Sequence, residues 1–129
     1  MLKTGVLNPQ INSLLSRVRH TNKLVITDRG FPFWQMIETI DISVVDDLPT
    51  VLLVLAAISL NFQIGKAWMA SEFLQANNAK TRTAFAKALH GIALTQEPHI
   101  RFKKRIPHAI GLISTGDTTQ YANLVLESE

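Results

Sequence analysis

Leu24-Val25-Ile26 is the stretch that most constrains the fold. Successive side chains of a strand point to opposite faces. Three apolar residues in a row, with Asn22-Lys23 before them and Thr27-Asp28 after, therefore want cover on both sides. A strand of that kind belongs to a sheet with a layer on each face, as in parallel α/β sheets. Ala109-Ile-Gly-Leu-Ile-Ser-Thr115 reads as a second strand and Tyr121-Ala-Asn-Leu-Val-Leu126 as a third. Ile11, Leu14, Leu15 and Val18 recur at helical spacing and supply one covering helix. Asn8-Pro9 opens it, since Asn caps a helix start well and Pro at the first position gives up no usable N–H.

The other elements follow from similar signals. Ile40-Asp41-Ile42 reads as a short strand. Thr50 to Leu60 reads as a buried helix, with Asp46-Asp47 ahead of it as caps and dipole partners. Asn61 to Ala70 reads as a strand, with Gly65 marking a bulge or a close backbone approach. Asn77-Asn78 starts a helix with Phe85, Ala88 and Leu89 inward, closed by Gly91, and Ile92 to Gln96 is a further strand. Pro98-His99 opens a basic segment, Arg101 to Arg105, read as a solvated helix face. With no internal repeat, linker or low-complexity stretch, the 129 residues are predicted to form a single α/β domain.

Composition narrows the chemistry. The chain has no cysteine, which excludes disulfides, thiol catalysis and cysteine metal sites. His20, His90, His99 and His108 show no short ligand spacing, so no metal is expected. There is no glycine-rich phosphate loop and no Gly-x-Ser-x-Gly elbow. No secretory leader is evident, and the apolar run Val51 to Leu60 is too short to span a bilayer. A cytoplasmic location without membrane contact is expected. A net charge of +3 is too small an excess to argue for nucleic acid.

What remains is cofactor-free acid–base chemistry. His20 and Asp28 stand at opposite ends of the first strand, and His titrates near neutrality. Two readings stay open for each. His20 is a proton-transfer group, or a cation facing the end of the first helix. Asp28 is a ligand-binding carboxylate beyond a strand end, or an Asx-turn residue.

A set of short motifs goes further. They are Leu7-Asn8-Pro9, His20-Thr21, Asp28-x-Gly30-x-Pro32, Ile40-Asp41, His99-x-x-Phe102-Lys103, Ser114-Thr115-Gly116-Asp117 and Tyr121-Ala122-Asn123. In this order and spacing the chain resembles the D-ribose pyranase and L-fucose mutarotase (RbsD/FucU) family over its whole length. The resemblance implies a central mixed sheet flanked by helices. It also implies an isomerase that interconverts ring forms of a free monosaccharide without cofactor or metal. His20 would be the acid–base residue. Asp28, His99, Tyr121, the Ala122 backbone and Asn123 would bind the sugar. Members are homo-oligomers, rings of five subunits often stacked into decamers, with the site at a subunit boundary. His99 and Tyr-Ala-Asn point to D-ribose rather than L-fucose. The alternatives are a mutarotase for another sugar and a non-catalytic sugar-binding protein. Arg29 departs from the family pattern and has three readings: a partner for Asp28, a contact for an anionic ligand, or a solvated side chain.

Overall fold

The buried triplet forms the middle of a strand, Lys23–Thr27 (β1), whose two neighbours come from the far end of the chain. A computed structural model describes residues 1–129. The other strands are Thr39–Asp41 (β2), Ile64–Ala70 (β3), Ala93–Glu97 (β4), Gly111–Ser114 (β5) and Leu124–Ser128 (β6). They make one six-stranded sheet in the order β2-β5-β1-β6-β3-β4. β1 runs parallel to β5, with Ile26 opposite Ile113, and antiparallel to β6, with Val25 opposite Val125. β6 is also antiparallel to β3, while β2 follows β5 and β4 follows β3 in parallel. Five strands thus share one direction and β6 alone opposes them.

Five helices complete the chain: Pro9–Ser16 (α1), Val51–Ile58 (α2), Glu72–Ala76 (α3), Ala79–Ala88 (α4) and His99–Lys103 (α5). The strand alternation divides the core as its triplet requires. Leu24 and Ile26 pack on one face with Leu14, Leu55, Phe73 and Phe85 from α1 to α4. Val25 packs on the other with Trp68, Phe102, Ile106 and Leu112. Caps fix the helix starts: Asn8 accepts the Ile11 N–H at 2.9 Å, and Asn78 accepts the Thr81 N–H at 2.9 Å.

Several expectations are corrected. α1 stops at Ser16, so Arg17 is its C-cap and His20 lies beyond it in an exposed turn. The acids ahead of α2 do not cap it. Asp47 accepts from Thr118 and Asp46 pairs with Arg29, while the buried Asp117, 66 positions along the chain, accepts the Val51 N–H. Ala88 faces outward, leaving Phe85 and Leu89 to anchor α4. The last strand starts at Leu124, because Tyr121 sits in a left-handed turn with φ +56°. The basic segment is not simply solvated: Phe102 is fully buried, and the Arg105 guanidinium lies 4.6 Å from the Trp68 ring centre and pairs with buried Glu97. The bulge expected at Gly65 is present as a register shift between Ile64 and Lys66.

One close approach ties α1 to the sheet. A Cβ added to Gly111 would lie 2.5 Å from Leu14 Cδ2, and Leu14 is fully buried. Gly111→Ala is expected to destabilise the protein by about 1–3 kcal/mol through overpacking, read as a lower urea midpoint at unchanged slope.

The directions of the strands decide where chemistry can gather. Asp28, Glu72, His99 and Asp117 follow the ends of β1, β3, β4 and β5, and Asn123 precedes β6. All five are therefore delivered to one edge of the sheet.

Candidate active site

Asp28 and Asn123 meet because β1 and β6 are paired, with Ile26 opposite Leu124. Their bonds are reciprocal. The Asp28 N–H donates to Asn123 Oδ1 at 2.8 Å, and Asn123 Nδ2 donates to Asp28 Oδ2 at 3.2 Å. Asp28 Oδ1 accepts the Gly30 N–H at 2.9 Å. Asp28 therefore makes an Asx turn, and its carboxylate also lines a cleft. Burial pushes its pKa above the ordinary carboxylate value, against bonds from Gly30 and Asn123 that favour the charged form.

His99 is the first residue of α5. Both oxygens of Glu72 accept its backbone N–H, at 2.9 and 3.0 Å. Its ring stands edge-on to Tyr121, centroids 5.2 Å apart, and lies against Phe102 at 6.1 Å. Burial, with Lys103 nearby, holds the imidazole below the ordinary His value; Glu72 and Asp28 pull the other way. Its Nδ1 is buried without a hydrogen-bond partner.

Asp28, His99, Tyr121 and Asn123 thus line one open cleft of about 330 Å³, with Phe31 and Gln120 beside them. The arrangement suits a polyol. A carboxylate accepts from hydroxyls, the amide both donates and accepts, and imidazole and phenol can each do either. Phe31 and Tyr121 offer apolar ring surface to C–H groups.

Ala122, expected to contribute its backbone, has its side chain fully buried in the larger core and its backbone between Tyr121 and Asn123. One residue named from sequence is elsewhere. His20 lies at the opposite edge of the sheet, before β1 rather than after it. The five extended residues of β1 lie between its turn and Asp28, a length of about 17 Å. Its turn is nonetheless fixed: Thr21, at φ +66°, donates its N–H to Ser128 O at 3.0 Å, and the Arg19 N–H bonds Asn22 Oδ1 at 2.8 Å. Arg29 points away from Asp28 and pairs with Asp46 at 2.6 Å. Sequence reasoning missed Phe31 and Gln120 in the cleft, and Glu72 and Asn77 behind it. A carboxylate directly after a strand was the available signal for Glu72; none marked Asn77.

The family model for the RbsD / FucU transport protein family matches residues 1–129. The chain belongs to that family. Among RbsD/FucU proteins it is 38% identical to the D-ribose pyranase of Chromobacterium violaceum, over 99% of this chain and 97% of that one. It is 34% identical to the D-ribose pyranase of Geobacillus kaustophilus, over 99% and 93%. Bacillus subtilis RbsD, solved in complex with D-ribose, has a TM-score of 0.90 at 29% identity and covers 99% of this chain and 97% of its own. A fucose mutarotase of Streptococcus pneumoniae, solved with L-fucose, shares the RbsD/FucU fold at a TM-score of 0.81 and 18% identity, covering 98% and 97%. No helix is long and apolar enough to cross a membrane.

Proposed function

We propose that this chain is a D-ribose pyranase, an isomerase that interconverts the ring forms of free D-ribose through the open-chain aldehyde. The observation that carries this reading is the convergence of Asp28, His99, Tyr121 and Asn123 on one cleft, in a chain related over its full length to D-ribose pyranases. Ring opening takes a proton from the anomeric hydroxyl and gives one to the ring oxygen; closure onto a different hydroxyl reverses this. The Asp28 carboxylate and Asn123 amide would orient the hydroxyls, and His99 would contact the sugar from the other wall.

His20 would act as the acid–base group, supplied to the cleft by a neighbouring copy. The distance between His20 and Asp28 within one chain supports that reading, and so does the fixed, exposed turn that presents His20. The assembly would be a ring of five subunits, or two such rings stacked, working in the cytoplasm on free monosaccharide.

Saturation-transfer NMR on equilibrated D-ribose tests the activity. Catalytic protein should broaden and exchange the pyranose and furanose signals at concentrations far below that of the sugar. Enhancement for L-fucose alone would move the substrate within the class. Absence of enhancement for any sugar, from folded and assembled protein, would favour a sugar-binding protein instead.

A further inference from the structure

The cleft has two walls that are far apart in sequence. One is His99 at the start of α5, and the other is the turn Gln120-Tyr121 before β6. Neither wall is well anchored by its own neighbours. α5 begins at Pro98, which gives no side-chain cap, and Tyr121 is a non-glycine residue held at φ +56°. A left-handed residue of this kind persists only when its surroundings over-determine it.

The anchoring comes from α3, which lies behind the cleft. At one end, Glu72 accepts the His99 N–H with both carboxylate oxygens and is itself steadied by Ser71 Oγ at 3.1 Å. At the other, Asn77 Nδ2 donates to Gln120 O at 2.9 Å and to Phe73 O at 3.0 Å. α3 is itself held from the α4 side. Phe73 is buried against Phe85 with ring centres 4.7 Å apart, and Arg82 of α4 donates to the Leu74 and Asn77 carbonyls at 3.0 Å.

We propose that α3 is a bracket that sets the separation of the two cleft walls, with Glu72 and Asn77 as positioning residues for His99 and Tyr121. Neither touches the cleft. Each acts through one hydrogen-bonded connection to a residue that does. This rests on the cleft being the sugar site. Glu72 has a second role through charge. The charged groups acting on the imidazole are Lys103 on α5, Asp28 after β1 and Glu72 itself. Lys103 and burial disfavour its protonated form, and Glu72 is the first of the two carboxylates that oppose them.

The test uses Glu72→Gln and Asn77→Asp in the assembled protein, with two readouts. Glu72→Gln keeps shape and an acceptor but loses the charge. The His99 titration followed by NMR should move to lower pH. Asn77→Asp keeps shape but has no N–H to donate. Ribose affinity should weaken about fivefold, as for loss of one hydrogen bond, while the His99 titration stays in place. Asn77→Ala should also weaken ribose affinity, since it removes the donor without setting a new charge against the Phe73 and Gln120 carbonyls. Unchanged ribose affinity in Asn77→Ala overturns the bracket, and an unchanged His99 titration in Glu72→Gln overturns the charge role of Glu72. A parent protein that binds no sugar overturns the sugar-site reading instead, so the two failures are distinguishable.

Discussion

His20→Ala is expected to reduce enzyme-driven ribose exchange by about 10²–10⁴-fold, the usual worth of a positioned acid–base group. Ribose should still bind, because Asp28, His99, Tyr121 and Asn123 all lie on the other edge of the sheet and are untouched. Stability should change by no more than about 0.5 kcal/mol, since His20 is exposed and its turn is held by backbone bonds and by Asn22. Exchange rates and a ribose titration on the same preparation separate the roles. Exchange at the parent rate would remove His20 from the chemistry and leave His99 as the acid–base candidate.

Asp117→Ala is expected to be the most damaging single change to stability, at about 3–5 kcal/mol. Asp117 is 3% exposed and joins three parts of the chain. Its Oδ2 accepts the Val51 N–H at 2.8 Å, capping α2, and its Oδ1 accepts the Thr119 N–H at 2.8 Å. Its carbonyl accepts the Arg29 N–H at 3.0 Å, which ties the β5 turn to the residue after Asp28. Removing the carboxylate strands a donor on fully buried Val51 and another on Thr119. Bonds to charged groups contribute about 1.5–3 kcal/mol each, and a helix N-terminus favours a carboxylate besides. A typical domain has only about 5–15 kcal/mol in total, so the loss takes a large share. Urea unfolding measures it. Asp117→Asn should recover only part, because an amide presents one acceptor where two donors wait. A midpoint close to the parent's would show that the Thr50 cap alone suffices for α2.

The sequence made some of this architecture legible for physical reasons. Leu24-Val25-Ile26 required two-sided burial whatever the partner strands were, and the caps at Asn8 and Asn78 act within three residues. What local pattern could not reveal were contacts made across the chain. Asp46-Asp47 stand where caps usually stand, yet the start of α2 is satisfied by Thr50, which accepts the Leu53 N–H, and by the distant Asp117. α3 is five residues long, too short for a helical period to declare itself, so it was missed along with Glu72 and Asn77. Asp28 was legible at the end of the buried strand, but His99, Tyr121 and Asn123 came from motif resemblance, because they join it only after strands far apart in sequence pair.

That pairing has a consequence for how the chain matures. β1 lies between β5 and β6, so a strand at residues 23–27 waits for partners about ninety to a hundred positions later. Until β6 arrives, β1 and β3 have no link to each other, and each offers an open edge of the kind that invites aggregation. Non-local closure of this sort is intrinsically slow. The Asp28–Asn123 bonds span 95 positions and form in the same event. An incompletely synthesised or partly folded chain therefore has no half-built cleft. Completion of the sheet and completion of the cleft come together.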